Sequence, residues 1–441
     1  MEWSASLDEY EKLLIRMNTP RVVIDNTVCA NSTLVKVDSA RKDTILLEAV
    51  QVLTDLDLSI RKAYISSDGC WFMNVFHVTD RYGQKLTDKR IIAYIERSLG
   101  TEDDEPTAVS RDQEAFTTLE LVGSDRPGLL SEIFAVLSNL GCSVVEAKFW
   151  AHKGRIAGLL FVEEEETGLP INDSDKIEHI KARLSYVIRG TTTALLSSSP
   201  SNAVRGTKAD RRLHQLMFAD RDYERAVASV ESSVSVQNWV ERGYSIVNVQ
   251  CSDRRKLLFD VLCTLTDMEY VVFHGTIDTN GDHAYQEFYI RHSDGSPIRS
   301  EAERQRVIKC LQAAIGRRAS EGLRLELCTA DPVSLAVATR TFRENGLTVT
   351  MAEMSTKGET AVNVFYVTDA GGHLPGRKTI EAVMERIGDD SLKACEVRPM
   401  RAGQSHSGRD QNESSAAGGG LLRLGSLVIR NLSNLGLIRS S

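Results

Sequence analysis

A short phrase that occurs twice in this chain of 441 residues constrains its fold more than any other feature. Residues 74–80 have the sequence NVFHVTD and residues 363–369 have NVFYVTD, so the two phrases differ at one position. Each phrase ends 11 residues after a glycine, Gly69 or Gly358. Self-similarity of this kind indicates that one supersecondary unit has been copied along the chain.

Two further copies are visible where an alternating apolar run meets an aspartate. Asp125, Asp253 and Asp331 each follow such a run, and each precedes the next hairpin glycine by 27 to 29 residues. In the first copy Arg41 takes the place of the aspartate, 28 residues before Gly69. The unit therefore occurs four times.

The second copy shows the predicted order of elements most clearly. Leu119 and Leu121 alternate with polar residues, which is typical of a half-buried strand. Pro127 suits the first turn of a helix, and Lys153-Gly154 is a tight turn between two further strands. A second helix is expected over about residues 173–187, followed by a poorly marked edge strand. The pattern predicts an α+β fold of four tandem ferredoxin-like βαββαβ modules, with antiparallel sheets and helices on one face.

The spacing of the copies and the composition between them predict the domain boundaries. A segment at 213–227 regains order signals and is expected to pack between the two halves of the chain. The tail ends in an apolar stripe over 421–438, which indicates a docked amphipathic helix or one that contacts a membrane surface or a partner. The predicted divisions are an N-terminal segment 1–30, module one 31–100, module two 115–190, a partly ordered linker 191–243, module three 244–318, module four 322–398 and a low-complexity tail 401–441.

Composition and motifs exclude several classes of function. The net charge of −8 gives no general attraction to nucleic acid, so no nucleic-acid partner is expected. A basic group at 205–212 (Arg205, Lys208, Arg211 and Arg212) is interpreted as a solvated linker or a weak nuclear-import patch.

We find no secretory signal, no apolar run of membrane-spanning length and no paired cysteines, so we expect a cytoplasmic, or else nuclear, protein with reduced thiols. No catalytic, phosphate-binding or metal-ligand motif occurs, so we expect no enzyme, no cofactor and no metal.

The run from Asp125 to Leu130 (DRPGLL), at the first strand-to-helix turn of a βαββαβ unit, resembles the ACT domain, a regulatory module that binds amino acids and other small metabolites. Four such copies without an attached enzyme are similar to the plant ACT-domain-repeat (ACR) family, and so are residues 10–13, 20–25 and 434–440. The resemblance implies a non-enzymatic regulator that binds amino acids, in nitrogen or amino-acid sensing. It also implies ligand sites between paired modules, within one chain or in a homodimer.

The resemblance places the ligand at the strand-to-helix turn, where physical chemistry supports it. Free N–H groups and the helix dipole at a helix N-terminus favour a carboxylate, and Gly128 permits close approach. Asp125 is expected to take the ligand's ammonium group or to cap the helix. The predicted ligand-binding residues are Asp125, Arg126, Pro127, Gly128 and Leu129 in module two, Asp253 and Arg254 in module three, and Asp331 in module four.

The four turns are not equivalent, and this keeps a second hypothesis open. Module three has Arg255-Lys256 in place of Pro-Gly, module four has Pro332 after its aspartate, and module one has Arg41 instead of an aspartate. The degenerate turns favour the alternative of a scaffold whose ACT-like modules associate with an unknown protein partner and bind no metabolite. Contact with a membrane is expected only through the C-terminal segment.

Overall fold

The computed structural model describes most of the chain between residues 21 and 395. The described ranges are 21–39, 45–68, 71–100, 115–188, 200–202, 207–224, 233–319, 322–328, 332–357, 360–388 and 391–395. The tail, with its predicted amphipathic segment 421–438, lies outside them. No helix in these ranges is long and apolar enough to cross a membrane.

Four α+β units follow one another along the chain, which confirms the predicted fold class. Module one contains β1 (Arg21–Asp25), β2 (Thr33–Ser39), α1 (Ile45–Asp55), β3 (Ser59–Asp68), β4 (Trp71–Thr79) and α2 (Lys89–Gly100). Module two contains β5 (Ala115–Ser124), α3 (Leu129–Asn139), β6 (Cys142–His152), β7 (Arg155–Glu164), α4 (Ser174–Ile188) and β8 (Pro200–Asn202).

The second half of the chain repeats this organisation after a helical connection. The connection holds α5 (Thr207–Ala219) and a 3₁₀ turn (Asp222–Glu224). Module three contains β9 (Ser233–Trp239), a 3₁₀ turn (Val240–Arg242), β10 (Tyr244–Ser252), α6 (Leu257–Asp267), β11 (Tyr270–Asn280), β12 (His283–His292) and α7 (Glu301–Arg317). Module four contains β13 (Leu323–Cys328), α8 (Pro332–Glu344), β14 (Thr348–Lys357), β15 (Thr360–Thr368), α9 (Arg377–Ile387) and β16 (Leu392–Cys395).

The edge strand has a different origin in odd and even modules. In modules two and four it follows the second helix, as the βαββαβ order predicts, and β8 and β16 pair with β5 and β13. In modules one and three the strand that precedes the unit takes this place: β1 pairs with β2, and β9 with β10. The odd modules therefore use chain that the sequence assigned to the N-terminal segment and to the linker.

A triangle of hydrogen bonds fixes these early edge strands. Asn26 Nδ2 donates to the Leu86 carbonyl at 2.8 Å, the Leu86 N–H donates to Thr33 Oγ1 at 2.8 Å, and Thr33 Oγ1 donates to Asn26 Oδ1 at 2.6 Å. Module three repeats the triangle with Asn238, Ser245 and Ile298. Because an asparagine side chain satisfies both partners, the strand end stays fixed beside the core.

The modules pair in alternation, one with three and two with four. The first sheet has the order β1-β2-β4-β3-β11-β12-β10-β9, and β3 meets β11 antiparallel with Ala63 opposite Ile277. The second has the order β16-β13-β15-β14-β6-β7-β5-β8, and β6 meets β14 with Ala147 opposite Met354. Each pair thus forms one eight-stranded sheet that leaves no inner strand edge unpaired.

Helix α5 packs against the face of the second sheet that module helices do not cover. Its residues Leu213, Leu216 and Met217 are buried against a cluster that includes Trp150 and Phe161. The helix also contacts α6 and α1 of the first pair. Because each fully buried apolar side chain contributes about 1.5–3 kcal/mol, this contact holds the two module pairs together.

Candidate functional site

The turn between β5 and α3 joins a strand to a helix as predicted, but α3 begins at Leu129, two residues after Pro127, and Asp125 does not cap it. The Asp125 N–H donates to the Gly154 carbonyl at 2.9 Å, which ties the turn to the β6–β7 hairpin. Gly128 has φ +82°, a left-handed conformation that is costly for residues with a Cβ atom, and α3 begins at the next residue. Leu129 is buried in the core, whereas Pro127 is exposed.

This turn faces module four across a narrow cleft. The five predicted residues from Asp125 to Leu129 line one side of the cleft. The opposite side is formed by α8 and the start of β14, through Thr339, Phe342, Leu347, Thr348 and Val349. The cleft holds only about 20 Å³, so it is closed in this state.

The Arg343 side chain of module four lies against Gly128 beside the cleft. A Cβ atom on residue 128 would collide with the Arg343 side chain, so the glycine is what permits this contact between modules. Arg343 lies on α8, far from module two in sequence, and sequence analysis did not identify it. No repeat or spacing signal marks this residue.

The Asp125 carboxyl is held in an unfavourable environment for a charge. Burial raises the pKa of Asp125 to about 6, against the opposing effects of the Arg126 backbone N–H and the Arg126 charge. Among the described residues, Asp125 forms no ion pair. A cationic group brought into the cleft would therefore meet an unpaired carboxyl group.

Arg126 is committed to contacts within module two. Its guanidinium donates to Glu132 Oε1 at 2.7 Å and to the Val187 carbonyl at 3.1 Å. It thereby joins the turn to α3 and to the end of α4. Its predicted role in ligand binding would require one of these contacts to open.

The corresponding turn of module three is filled by charged side chains of the protein itself. Burial raises the pKa of Asp253, and the charge of Arg61 from module one opposes this. Arg254 bonds Asp260 at 2.7 Å and the Ile315 carbonyl at 2.9 Å. Lys256 holds the left-handed conformation of Gly128, with φ +65°, and its ammonium group contacts Asp210 at 2.7 Å.

The turns of modules one and four cannot be compared in the same way. Arg41 and Asp331 lie outside the described residues. Asp331 therefore stays a prediction.

A buried ionic network, which sequence analysis missed, lies where α5 meets modules two and three. We call it the junction cluster; its members are Lys148, His152, Asp210, His214, Asp222, Arg254, Lys256, Asp260, Arg317 and Arg318. The sequence offers two signs of this cluster. Asp210 and His214 are polar residues on the buried side of α5, and Arg317 and Arg318 stand together at the end of α7. Their partners are far away in sequence, so the pattern alone did not connect them.

His214 occupies the centre of the junction cluster. Its Nε2 lies 2.8 Å from Asp260 Oδ1 and its Nδ1 lies 2.8 Å from Arg317 Nη1. Since arginine only donates, Nδ1 must accept, and the ring is the neutral tautomer with its proton on Nε2. Burial lowers the pKa of His214, although Asp260 opposes the shift.

Asp222 joins three parts of the chain. Arg317 donates to both of its oxygens, at 2.8 and 2.7 Å, and His152 Nδ1 lies 3.0 Å away. Burial alone would raise the pKa of Asp222, but the hydrogen bonds from Arg317 and His152 hold it well below the usual range. The 3₁₀ turn after α5 is therefore fixed to α7 and to β6.

Two residues of the basic group at 205–212 form ion pairs instead of lying in a solvated linker. Arg212 donates to both oxygens of Glu120, at 2.6 and 2.8 Å, and Arg211 lies 3.3 Å from Asp267. Lys208 is exposed, and Arg205 lies outside the described residues. In the ranges that the structure describes, no group of three or more His, Cys, Asp and Glu side chains is arranged to hold a metal ion.

Comparison with known proteins agrees with this architecture. Residues 28–105 match the description "ACR family N-terminal ACT domain", and residues 233–332 match "ACR9-like, ACT-like domain". Over its whole length, and the whole length of the relative, the chain is 56% identical to ACT domain-containing protein ACR8 of Arabidopsis thaliana. ACR4 of the same plant is 49% identical over all of both chains, and ACR5 is 49% identical over 98% of this chain and 97% of its own. The chain belongs to the ACR family of plant proteins that contain ACT domains.

Proposed function

We propose that this protein is a non-enzymatic sensor that binds a free amino acid in the cleft between modules two and four. The observation that carries the proposal is the buried, unpaired Asp125 beside the left-handed Gly128 at an interface between modules. A free amino acid is a zwitterion, so it brings both a positive and a negative group into the cleft. Its ammonium group would pair with Asp125, and its carboxylate would meet the N-terminus of α3 and the guanidinium of Arg343.

Binding would change the packing of the pair because the cleft is closed without a ligand. Room for an amino acid requires the Arg343 side chain to move and α8 to shift against α3. A ligand that fits only the open arrangement shifts the population toward it. In this way the cleft would convert a metabolite concentration into a change of surface, in line with a role in amino-acid or nitrogen sensing.

Isothermal titration calorimetry of the full chain against the twenty amino acids tests the proposal. We expect saturable binding of one or a few of them, at least tenfold weaker in Asp125→Asn. Affinity should rise between pH 5 and pH 7 as Asp125 ionises. Asp253→Asn, the equivalent change in module three, is the matched control and should leave the affinity unchanged.

A different result would favour the scaffold hypothesis. If no amino acid binds at millimolar concentration, the modules serve association with a protein partner. Equal loss of binding in Asp125→Asn and Asp253→Asn would place the site elsewhere than in this cleft.

A further inference from the structure

A groove elsewhere in the structure shares no lining residue with the cleft of Asp125. It has a volume of about 430 Å³, within the usual range for small-molecule sites. One wall is the end of α5 with the 3₁₀ turn that follows, and the other is the outer side of α7. Neither the family resemblance nor the proposed amino-acid site involves this groove.

The floor of the groove is apolar and aromatic. Phe218 and Tyr223 stack with ring centres 5.5 Å apart and planes inclined by 29°. Tyr223 is buried and packs with Cys310 and Ala313 of α7. The two rings therefore form a fixed apolar pair, of which the half-buried Phe218 is the more accessible member.

The rim of the groove is cationic. Arg306 and Lys309 are exposed on α7, three residues apart and so on one face of the helix. Arg306 also lies over the Phe218 ring, 5.6 Å from its centre. Within the described ranges neither residue forms an ion pair.

Neighbouring carboxylates do not neutralise this rim. Glu301 bonds Arg304 and Gln305, and Glu303 bonds Tyr270 and the Arg299 N–H. Glu224 on the opposite wall lies 3.5 Å from Arg221, a third cation that lines the groove. An aromatic floor with two unpaired cations at its edge suits a ligand that has a ring and a negative group.

We infer that this groove is a second ligand site, which binds a small organic anion carrying a phosphate or carboxylate on a flat apolar ring. The ring would pack against the half-buried Phe218, with Tyr223 behind it, and the anionic group would lie between Arg306 and Lys309. The turn that lines the site also holds Asp222, which binds Arg317 and His152. A ligand here would clamp the turn to α7 and so strengthen the connection between modules two and three.

The test is calorimetry on the full chain with four probes that separate ring from charge. AMP carries a ring with a phosphate, phenylacetate a ring with a carboxylate, inorganic phosphate the charge alone, and adenosine the ring alone. We expect saturable binding of at least one ring-bearing anion, at least tenfold tighter than phosphate or adenosine. If AMP binds, the anionic group of the ligand is a phosphate. If phenylacetate binds, it is a carboxylate.

Surface variants locate the site without disturbing the fold. Arg306→Glu and Lys309→Glu should each weaken binding at least tenfold, and Lys378→Glu, the same charge change on exposed α9, should not. Ala302→Phe fills the groove while it retains every charge, and it too should abolish binding. Asp125→Asn should have no effect, which separates this site from the proposed amino-acid site.

Three results would overturn the inference. The first is that neither AMP nor phenylacetate binds at millimolar concentration. The second is binding of phosphate or adenosine as tightly as the ring-bearing anions. The third is binding that survives both Ala302→Phe and the double variant Arg306→Glu/Lys309→Glu.

Discussion

At the scale of single residues, the same backbone position has been used in two different ways. Gly128 in module two leaves space that the Arg343 side chain of module four occupies, and the Asp125 carboxyl in the cleft beside it has no ion-pair partner among the described residues. Lys256 in module three adopts the same left-handed conformation at a cost of about 1–2 kcal/mol. Its ammonium group binds Asp210 in return. The turn of module three is therefore an internal contact, whereas the turn of module two is the one on which the proposed ligand site rests.

Asp125 should make stability depend on pH in a defined direction. Its pKa in the folded chain is raised to about 6 from 3.8, so the folded state holds this proton more tightly than the unfolded state does. The resulting stabilisation is present below about pH 4 and is lost as the pH rises through 6. The unfolding free energy of Asp125→Asn relative to wild type should therefore increase from pH 4 to pH 8, by up to about 3 kcal/mol.

Urea denaturation at several pH values measures this difference. Asp173→Asn, an exposed aspartate before α4, is the control and should show no such trend. A difference that stays constant across the range would mean that Asp125 ionises as it does in water.

Gly128 and Arg343 should be energetically coupled. Gly128→Ala places a Cβ in a left-handed conformation and against Arg343, so we expect a loss of about 1–3 kcal/mol in unfolding free energy. In an Arg343→Ala background the steric part disappears and the loss should shrink by about 0.5–1 kcal/mol. A double-mutant cycle by urea denaturation measures the coupling. Equal losses in both backgrounds would show that Arg343 moves away freely.

At the scale of elements, α5 is the component that makes two module pairs into one structure. Its apolar side packs on the second sheet, while Asp210 and His214 bring its polar groups into the junction cluster. Removing one member of such a network leaves a buried charge without its partner, at a cost of about 3–5 kcal/mol. Helix α5 is therefore a structural element of the molecule, and it overlaps the segment 213–227 that the sequence predicts to pack between the two halves.

His214 should make this junction sensitive to acid. Burial lowers its pKa below 6.5, so the unfolded chain takes up a proton that the folded chain does not, and stability falls as the pH drops below 6.5. Glutamine can also accept from Arg317 and donate to Asp260, without titrating. His214→Gln should therefore reduce the loss of unfolding free energy between pH 7.5 and pH 5.5, by up to about 1.4 kcal/mol.

His152 retains part of the acid response, because burial lowers its pKa as well. The control is His179→Gln on exposed α4, which should leave the pH profile as in wild type. An unchanged profile in His214→Gln would show that the junction cluster tolerates the imidazolium form.

Features that depend on neighbouring residues can be predicted from this sequence, whereas contacts between residues far apart in the chain cannot. The strand alternation and the strand-to-helix turn at Asp125 follow from residues within a few positions of each other. Arg343, by contrast, reaches Gly128 from another module. His214 likewise meets Asp260 and Arg317 at separations of 46 and 103 residues. The early edge strands β1 and β9 were also missed: β1 is a short apolar run and β9 alternates as any strand does, and neither pattern says which sheet the strand joins.

At the scale of the whole molecule, alternate pairing makes each half of the chain incomplete. Modules one and two have their sheet partners in modules three and four, so a fragment of residues 1–190 has open strand edges at β3 and β6 and, because it lacks β8, at β5 as well. We expect this fragment to aggregate or to lack a cooperative thermal transition. Co-expressed with residues 191–441, it should form a stable complex in size-exclusion chromatography.

The alternative division provides the control for this experiment. A break between residues 101 and 114, co-expressed in the same way, should also yield a complex, because β3 still meets β11. A fragment 1–190 that folds alone as a monomer with a sharp transition would contradict this account of the pairing.

Alternate pairing also determines how long each central strand waits for its partner during synthesis on the ribosome. Strand β3 is complete about 200 residues before β11, its neighbour in the sheet, has been made, and β6 waits as long for β14. At about 5–20 residues per second the nascent chain carries an open strand edge for roughly 10 to 40 seconds. During that time the edge is a template for wrong pairing, so a holdase on the emerging chain, or slow codons placed after a completed pair, would change the yield of native protein without altering its final stability.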